Sequence, residues 1–209
     1  MPTEPFTAPV MQRAQKIAAL RALDETQVKG CTKCRLCETR TQTVFGEGDA
    51  DAQLMFIGEG PGENEDLHGR PFVGEAGQLL DKMILAMGFS RQQVFICNIV
   101  KCRPPNNRQP AASETAACTP YLLKQIEIVR PRVIVTLGLP STQLLLQTKN
   151  SMTKSRGRWH EWRGIKVMPT YHPAYVLRAY TRDTREAVWS DLQQVLSALG
   201  LTIPKRKSE

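Results

Sequence analysis

Residues 54–80 constrain this chain more than any other stretch. Leu54-Met55-Phe56-Ile57 is an apolar run that breaks into Gly58-Glu59-Gly60-Pro61-Gly62. A polar loop follows, with acids at Glu63, Glu65 and Asp66, and Gly69-Arg70-Pro71-Phe72-Val73-Gly74 closes it. Leu79, Leu80, Met83, Ile84 and Met87 then recur at helical spacing. The pattern predicts strand, long glycine-rich loop, helix, and in open α/β sheets ligands bind at the carboxyl ends of strands. The glycines do not follow G-x-G-x-x-G, and no Gly-Lys-Ser/Thr makes a P-loop. A surface loop with several turns is the plain alternative. Connections this long are usually functional or disordered, and the apolar Pro71-Phe72-Val73 inside the loop argues against disorder.

Further strands are expected at 93–100, 132–137 and 165–170, and helices at 12–28, 79–87, 112–129, 141–147 and 184–199. Their alternation implies an α/β fold: one three-layer α/β/α domain around a central, mostly parallel four-stranded sheet. The domain is expected to span 1–209, with loose ends at about 1–10 and 203–209. No apolar run approaches the roughly 20 residues that span a bilayer, and the N-terminus lacks an apolar signal core. A cytoplasmic monomer away from membranes is expected. In that compartment six cysteines suggest metal ligands or buried thiols rather than disulfides. A net charge of +8 suits a polyanionic partner or simply a basic soluble surface.

The cysteines are patterned. Cys31-x2-Cys34 is followed by Cys102-x15-Cys118, and thiolates at such spacing bind soft metals. Spacing alone leaves zinc, iron–sulfur and unrelated buried thiols open. Cys97 lies inside an apolar strand, where a small buried residue is ordinary, and Cys37 has no partner in the pattern.

Taken together, four stretches resemble the family 4 uracil-DNA glycosylases, the iron–sulfur branch of the uracil-DNA glycosylase superfamily. The segment GEGPG-x-x-ED-x-x-GRPFVG-x-AGQLLD resembles their motif A, and Tyr171-His172-Pro173-Ala174-Tyr175-Val176-Leu177-Arg178 resembles motif B. The strand and turn around Asn98 and Cys102 and the cysteine pattern match in the same order. The resemblance implies an enzyme of base excision repair that flips deoxyuridine out of single- or double-stranded DNA and hydrolyses its glycosidic bond. It implies a 4Fe–4S cluster on Cys31, Cys34, Cys102 and Cys118. Glu59, Gly60 and Pro61 would meet uracil through the loop backbone, and Phe72 would stack on the ring. Asn98 would read uracil O4 and N3–H, since an amide offers both a donor and an acceptor. His172 would stabilise the departing uracil anion at O2. Glu65 matches a pocket-lining acid and is taken as a second catalytic group. Val176, Leu177 and Arg178 would lie near the duplex.

Each assignment has a plainer alternative: a strand-end Asn capping a turn, a core Phe, a structural His, solvated loop acids. The chain's histidines are His68, His160 and His172. The loop after Lys101 therefore lacks the His through which a related branch traps DNA covalently. Lys149, Lys154, Arg156, Arg158 and Arg163, interleaved with Trp159 and Trp162, form a phosphate-binding stretch or a hairpin with core tryptophans. Arg156 and Arg158 are the DNA-binding candidates there. The rival to the enzyme reading is a non-enzymatic iron–sulfur module that binds nucleic acid or carries electrons.

Overall fold

The computed structural model describes residues 4–204. Helix α1 (Arg13–Leu23) runs on through a π-helical turn, Asp24–Val28. Strands β1 (Glu47–Gly48) and β2 (Leu54–Gly58) follow, then helices α2 (Glu63–His68) and α3 (Glu75–Ala86). Next come β3 (Phe95–Asn98), α4 (Ala112–Val129), β4 (Val133–Leu137), α5 (Leu139–Leu146) and α6 (Met152–Ser155). The chain closes with β5 (His160–Trp162), β6 (Ile165–Thr170), α7 (Pro173–Arg178) and α8 (Arg182–Leu199).

The strands form one sheet in the order β1-β3-β2-β4-β6-β5. Its centre, β3-β2-β4-β6, is parallel, and these are the four strands expected from the sequence. Every residue of β2, β3 and β4 is buried, as expected for parallel strands covered on both faces. Alternate side chains divide between two cores. Met55, Ile57, Phe95, Cys97 and Ile134 pack with α1 and α4 residues such as Leu20 and Leu122. Leu54, Phe56, Ile96, Val133 and Val135 pack with α3 and α8 residues such as Leu80 and Leu192. The fold is thus three-layer α/β/α. Among the described residues, no helix is long and apolar enough to cross a membrane.

Three details depart from the sequence reading. The sheet has six strands rather than four, because β1 and β5 add short antiparallel edges. Both are too short for a period-two pattern to register. The polar part of the glycine-rich loop contains the short helix α2, which begins after Gly62 and stops at Gly69 in the left-handed conformation, φ 67°. Within the stretch expected to be loose at 1–10, of which residues 4–10 are described, Phe6 is anchored. Its ring lies edge-on to Trp162 at 5.9 Å, with the Arg130 and Arg163 guanidinium groups 4.1 and 3.8 Å from its centroid. The tail expected to fray at 203–209 falls mostly outside the described residues.

The basic-aromatic stretch is a hairpin. Arg163 and Gly164 turn between β5 and β6 with φ of 53° and 79°, and Trp162 is buried while Trp159 stays exposed. Arg156 is half-buried and its guanidinium is committed to an internal ion pair, which counts against its assignment as a phosphate ligand. Its guanidinium makes two bonds to the fully buried Asp191 carboxylate, at 2.5 and 3.1 Å, and a third to the Ala187 carbonyl. Asp191 also accepts from the Thr170 hydroxyl at 2.6 Å. Removing one partner of such a pair leaves a buried charge uncompensated, typically at a cost of about 3–5 kcal/mol. Arg156→Met should therefore lower the urea-unfolding free energy by about 3 kcal/mol or more. The salt dependence of DNA binding should not change, because its slope counts phosphate contacts.

Candidate functional site

The carboxyl ends of β2, β3 and β6 carry the residues singled out by sequence. The glycine-rich loop leaves β2 at Gly58, which pairs in register with Asn98 at the end of β3. Glu65 organises the loop. Its Oε1 accepts from the amides of Val73 and Gly74 at 2.7 and 2.8 Å, and its Oε2 accepts from the amide of Gly62 at 3.1 Å. Both oxygens thereby hold the loop backbone, a role that no motif argument gave Glu65. Asp66, an acid of the same motif with no role assigned from sequence, is buried and takes the Thr41 amide on both oxygens at 2.9–3.0 Å. It ties the loop to the segment that follows the first cysteines.

Phe72 sits where the loop turns, with φ of 53°, a conformation that costs a residue with a side chain of order 1–3 kcal/mol. Two features hold it. Arg91 donates to the carbonyls of Pro71 and Phe72, the latter at 3.0 Å, while pairing with Asp81 at 2.7 Å and with Glu47. Burial pushes the Glu47 carboxyl up, but Arg70 and Arg91 together hold it below its ordinary value. The Phe72 carbonyl then lies against Gly77 in α3, where a Cβ would collide with it. Arg91 belongs to no motif, and no sequence signal pointed to it. Gly77 had one, a glycine inside a helical pattern.

Phe72, Asn98 and His172 converge. A Cβ on Gly58 would strike both the Phe72 ring and the Asn98 Oδ1. The Phe72 and His172 rings have centroids 5.7 Å apart with 31° between planes. Asn98 is 2% exposed, and its Oδ1 has no hydrogen-bond partner. A strand-end Asn capping a turn would have used that atom.

His172 is the N-cap of α7, and Pro173 takes the first helical position, where its missing N–H is no loss. The Ala174 amide donates to His172 Nδ1 at 3.1 Å. An N–H only donates, so Nδ1 carries no proton and the neutral ring presents Nε2–H. Burial, helped by nearby Arg178 and opposed by Glu65, lowers the His172 pKa from 6.5 to about 4. The ring is therefore neutral at pH 7. Glu59 and Gly60 follow β2, half-buried, and Pro61 is buried. Burial alone raises the Glu59 pKa. Gly60 faces Val100, whose Cγ2 would stand 2.9 Å from an added Cβ.

On the other side of the β3 exit, Cys31, Cys34, Cys102 and Cys118 line one cavity with Val28, Ala117 and Tyr121, and neither Cys37 nor Cys97 does. Donors surround the sulfurs: Arg40 Nη1 is 3.1 Å from Cys102 Sγ and the Lys101 amide is 3.2 Å from Cys118 Sγ. The Tyr121 hydroxyl lies 3.2 Å from Cys31 Sγ. Burial raises the Cys118 thiol to about 11. Among the described residues, no three Cys, His, Asp or Glu side chains converge tightly enough for a single ion.

The motif B helix divides. Arg178 is exposed and Leu177 half-buried, but Val176 is 3% exposed and packs in the core with Phe56 and Leu80. This removes Val176 from the DNA-facing set, since its position on α7 turns it toward the sheet. Arg158 is exposed.

Comparison with known proteins follows the same outline. The family model of the uracil DNA glycosylase superfamily matches residues 45–193. A type-4 uracil-DNA glycosylase of Thermotoga maritima is 49% identical over 173 residues, covering 82% of this chain and 90% of the relative. One from Saccharolobus solfataricus is 48% identical over 182 residues, covering 83% of each. A third, from Sulfurisphaera tokodaii, is 48% identical over 189 residues, covering 86% of this chain and 84% of the relative.

The contact at Gly77 is open to test. Gly77→Ala adds one methyl where the Phe72 carbonyl sits, and such overpacking costs about 1–3 kcal/mol. The variant should unfold at lower urea by that amount, and its loop should lose amide-exchange protection at Val73 and Gly74. Unchanged stability and protection would mean the loop does not depend on this contact.

Proposed function

The chain belongs to the uracil DNA glycosylase superfamily, and we propose that it is a monofunctional uracil-DNA glycosylase of base excision repair, with Phe72, Asn98 and His172 around a flipped uracil. The observation that carries the assignment of the pocket is the buried, unpaired Oδ1 of Asn98. Leaving such an acceptor unsatisfied costs about 1–3 kcal/mol, and uracil N3–H is a donor that would relieve it. The Asn98 amide nitrogen would then face uracil O4. Cytosine carries an acceptor at N3 and an amino group at C4, so both contacts would be opposed. Phe72 offers its ring as the stacking face, and its fixed backbone keeps that face in place before DNA arrives.

In the reaction, the bond between N1 of uracil and C1′ of deoxyribose breaks, and its electron pair leaves with the base. A water oxygen bonds to C1′, and the proton that the water gives up ends on uracil. The products are free uracil and an abasic site. Negative charge develops on uracil O2 as the bond breaks, and His172 Nε2–H is the donor suited to meet it. A neutral imidazole does so without burying a full positive charge. Glu65 acts at one remove, holding the loop that carries Glu59, Gly60 and Pro61. Leu177, Arg178 and Arg158 remain candidates for the DNA side.

The proposal includes a 4Fe–4S cluster on Cys31, Cys34, Cys102 and Cys118. The four thiols share one cavity, and polar groups of Tyr121, Arg40 and Lys101 lie within hydrogen-bond distance of three of their sulfurs, the setting in which a thiolate-held cluster is stabilised. When bound it would cross-link residues 31–34 to 102 and 118. A cytoplasmic monomer spanning 1–209 fits this reading, because a reducing compartment preserves thiolate ligands and one chain carries every proposed residue. An electron-carrying module would leave the convergence of Phe72, Asn98 and His172 without a purpose.

Release of free uracil from a labelled oligonucleotide tests the proposal directly. Asn98→Ala should slow that release by about 10-fold or more, the loss of one buried polar contact. Asn98→Asp should also weaken uracil excision and let cytosine compete. Wild-type rates in Asn98→Ala would remove Asn98 as the reader. His172→Ala should lower single-turnover cleavage by about 100- to 1000-fold with little change in DNA affinity, which phosphate contacts dominate. Because the folded-state pKa of His172 lies below its ordinary 6.5, the neutral form persists until pH falls to about 4. The pH profile of kcat/KM should therefore show its His172 limb near 4 and no inflection near 6.5. Stability linked to His172 should be complete above 6.5 and decline as pH falls toward 4.

A further inference from the structure

Lys101 is 1% exposed, one of the largest wholly buried side chains in the protein. It makes no ion pair among the described residues. Its Nζ donates to the Asn98 carbonyl at 2.8 Å and to Gln125 Oε1 at 2.6 Å. Gln125, itself fully buried, is held in turn by the hydrogen bond its Nε2 donates to the Phe45 carbonyl at 2.9 Å. Both acceptors are neutral oxygens, and neither is a carboxylate. A buried ammonium with only neutral acceptors is costly, since its charge is left without a counterpart.

The negative charge has one evident source. Lys101 lines the cavity of the four cysteines, and its backbone amide donates to Cys118 Sγ at 3.2 Å. Four thiolates around an iron–sulfur core carry net negative charge, and buried groups around such a core tune it. Lys101 thus faces the cysteine cavity while its ammonium holds the backbone of the proposed uracil reader.

Resting on the cluster and the uracil pocket proposed above, we propose that Lys101 is a positioning residue joining the two. Its ammonium balances the charge of the thiolate-held cluster and at the same time fixes the Asn98 carbonyl, and with it the direction of the Asn98 amide. It touches neither uracil nor the reacting atoms. A lysine serving packing alone would be satisfied by its two carbonyl acceptors and would leave the cluster's electronic properties unaffected.

Lys101→Met keeps the side-chain length and removes the charge. The iron content, the midpoint potential of the cluster and the kinetics of uracil release should be measured on one preparation of the holoenzyme. Iron should be retained and the potential should become more negative, because reduction adds charge that Lys101 no longer balances. Uracil release should fall by about 10- to 100-fold, the usual effect of losing a group that supports a metal site. An unmoved potential, or a moved potential with wild-type uracil release, would overturn the coupling. If Lys101→Met does not retain iron, Gln125→Glu supplies the decisive reading, since it sets a carboxylate against the same ammonium and leaves the lysine in place. The potential should again become more negative, and an unmoved potential in that variant would overturn the proposal. Wild-type protein that binds no iron or releases no uracil would sink the underlying reading itself, an outcome distinct from any result on the variants.

Discussion

One buried acceptor, Asn98 Oδ1, sets the terms on which the rest of the site is built. An interior amide oxygen without a donor raises the energy of the free protein, so the surrounding structure must hold it there. It does so by position. Asn98 ends a wholly buried parallel strand, and its register partner Gly58 has no side chain, so the Phe72 ring and Asn98 Oδ1 come together where a Cβ would stand. The sheet therefore presents the acceptor and the glycine lets the aromatic ring close up beside it. A ligand that brings an N–H to this point gains what the folded chain forgoes, which is how a binding site can discriminate by one hydrogen bond.

The aromatic side of the pocket is held by a different means. Phe72 is in a backbone conformation that its own side chain disfavours, and the conformation persists because its neighbours over-determine it. Arg91 binds the two carbonyls around it, Glu65 gathers the amides that follow it, and Gly77 admits its carbonyl to the start of α3. Local strain is thus offset by contacts spread over three elements. The benefit is preorganisation: in the proposed stacking role the ring is already fixed when an extruded base arrives, and less ordering is left to oppose binding.

Much of this was legible in the sequence because it lies in short contiguous patterns. The four central strands are apolar runs, the ligand-like cysteines are spaced in pairs, and Phe72 and His172 stand beside prolines that betray a shaped backbone. What was not legible depends on contacts between distant segments. Arg91 is an ordinary surface-type residue until it is seen reaching back to Pro71 and Phe72. Arg156 reads as a phosphate ligand in a basic stretch, yet Asp191, 35 residues away, draws it inward. Val176 sits in a motif associated with DNA, but helical phase turns it into the core. The edge strands β1 and β5, of two and three residues, exist only because a longer neighbour offers an unpaired edge.

The chain path after β3 connects the two halves of the proposed chemistry more tightly than any one contact. Asn98, Lys101 and Cys102 lie within five residues, so the proposed uracil reader and a proposed cluster ligand are at most about 14 Å apart along even a fully extended chain. The segment is not free to adjust. The amides of Ile99 and Val100 bond to the carbonyls of Gly58 and Glu59 at 3.0 and 3.2 Å, which extends the strand pairing past Asn98 to the loop itself. On the opposite side, the Val44 amide donates to the Lys101 carbonyl at 2.7 Å. Residues 98–102 therefore form a short rigid bridge with the glycine-rich loop on one flank and the first cysteine segment on the other. A cluster that draws Cys31, Cys34, Cys102 and Cys118 together would lock the far end of that bridge. Its value to the enzyme need not lie in electron transfer, because fixing Cys102 already fixes the strand end from which uracil would be read.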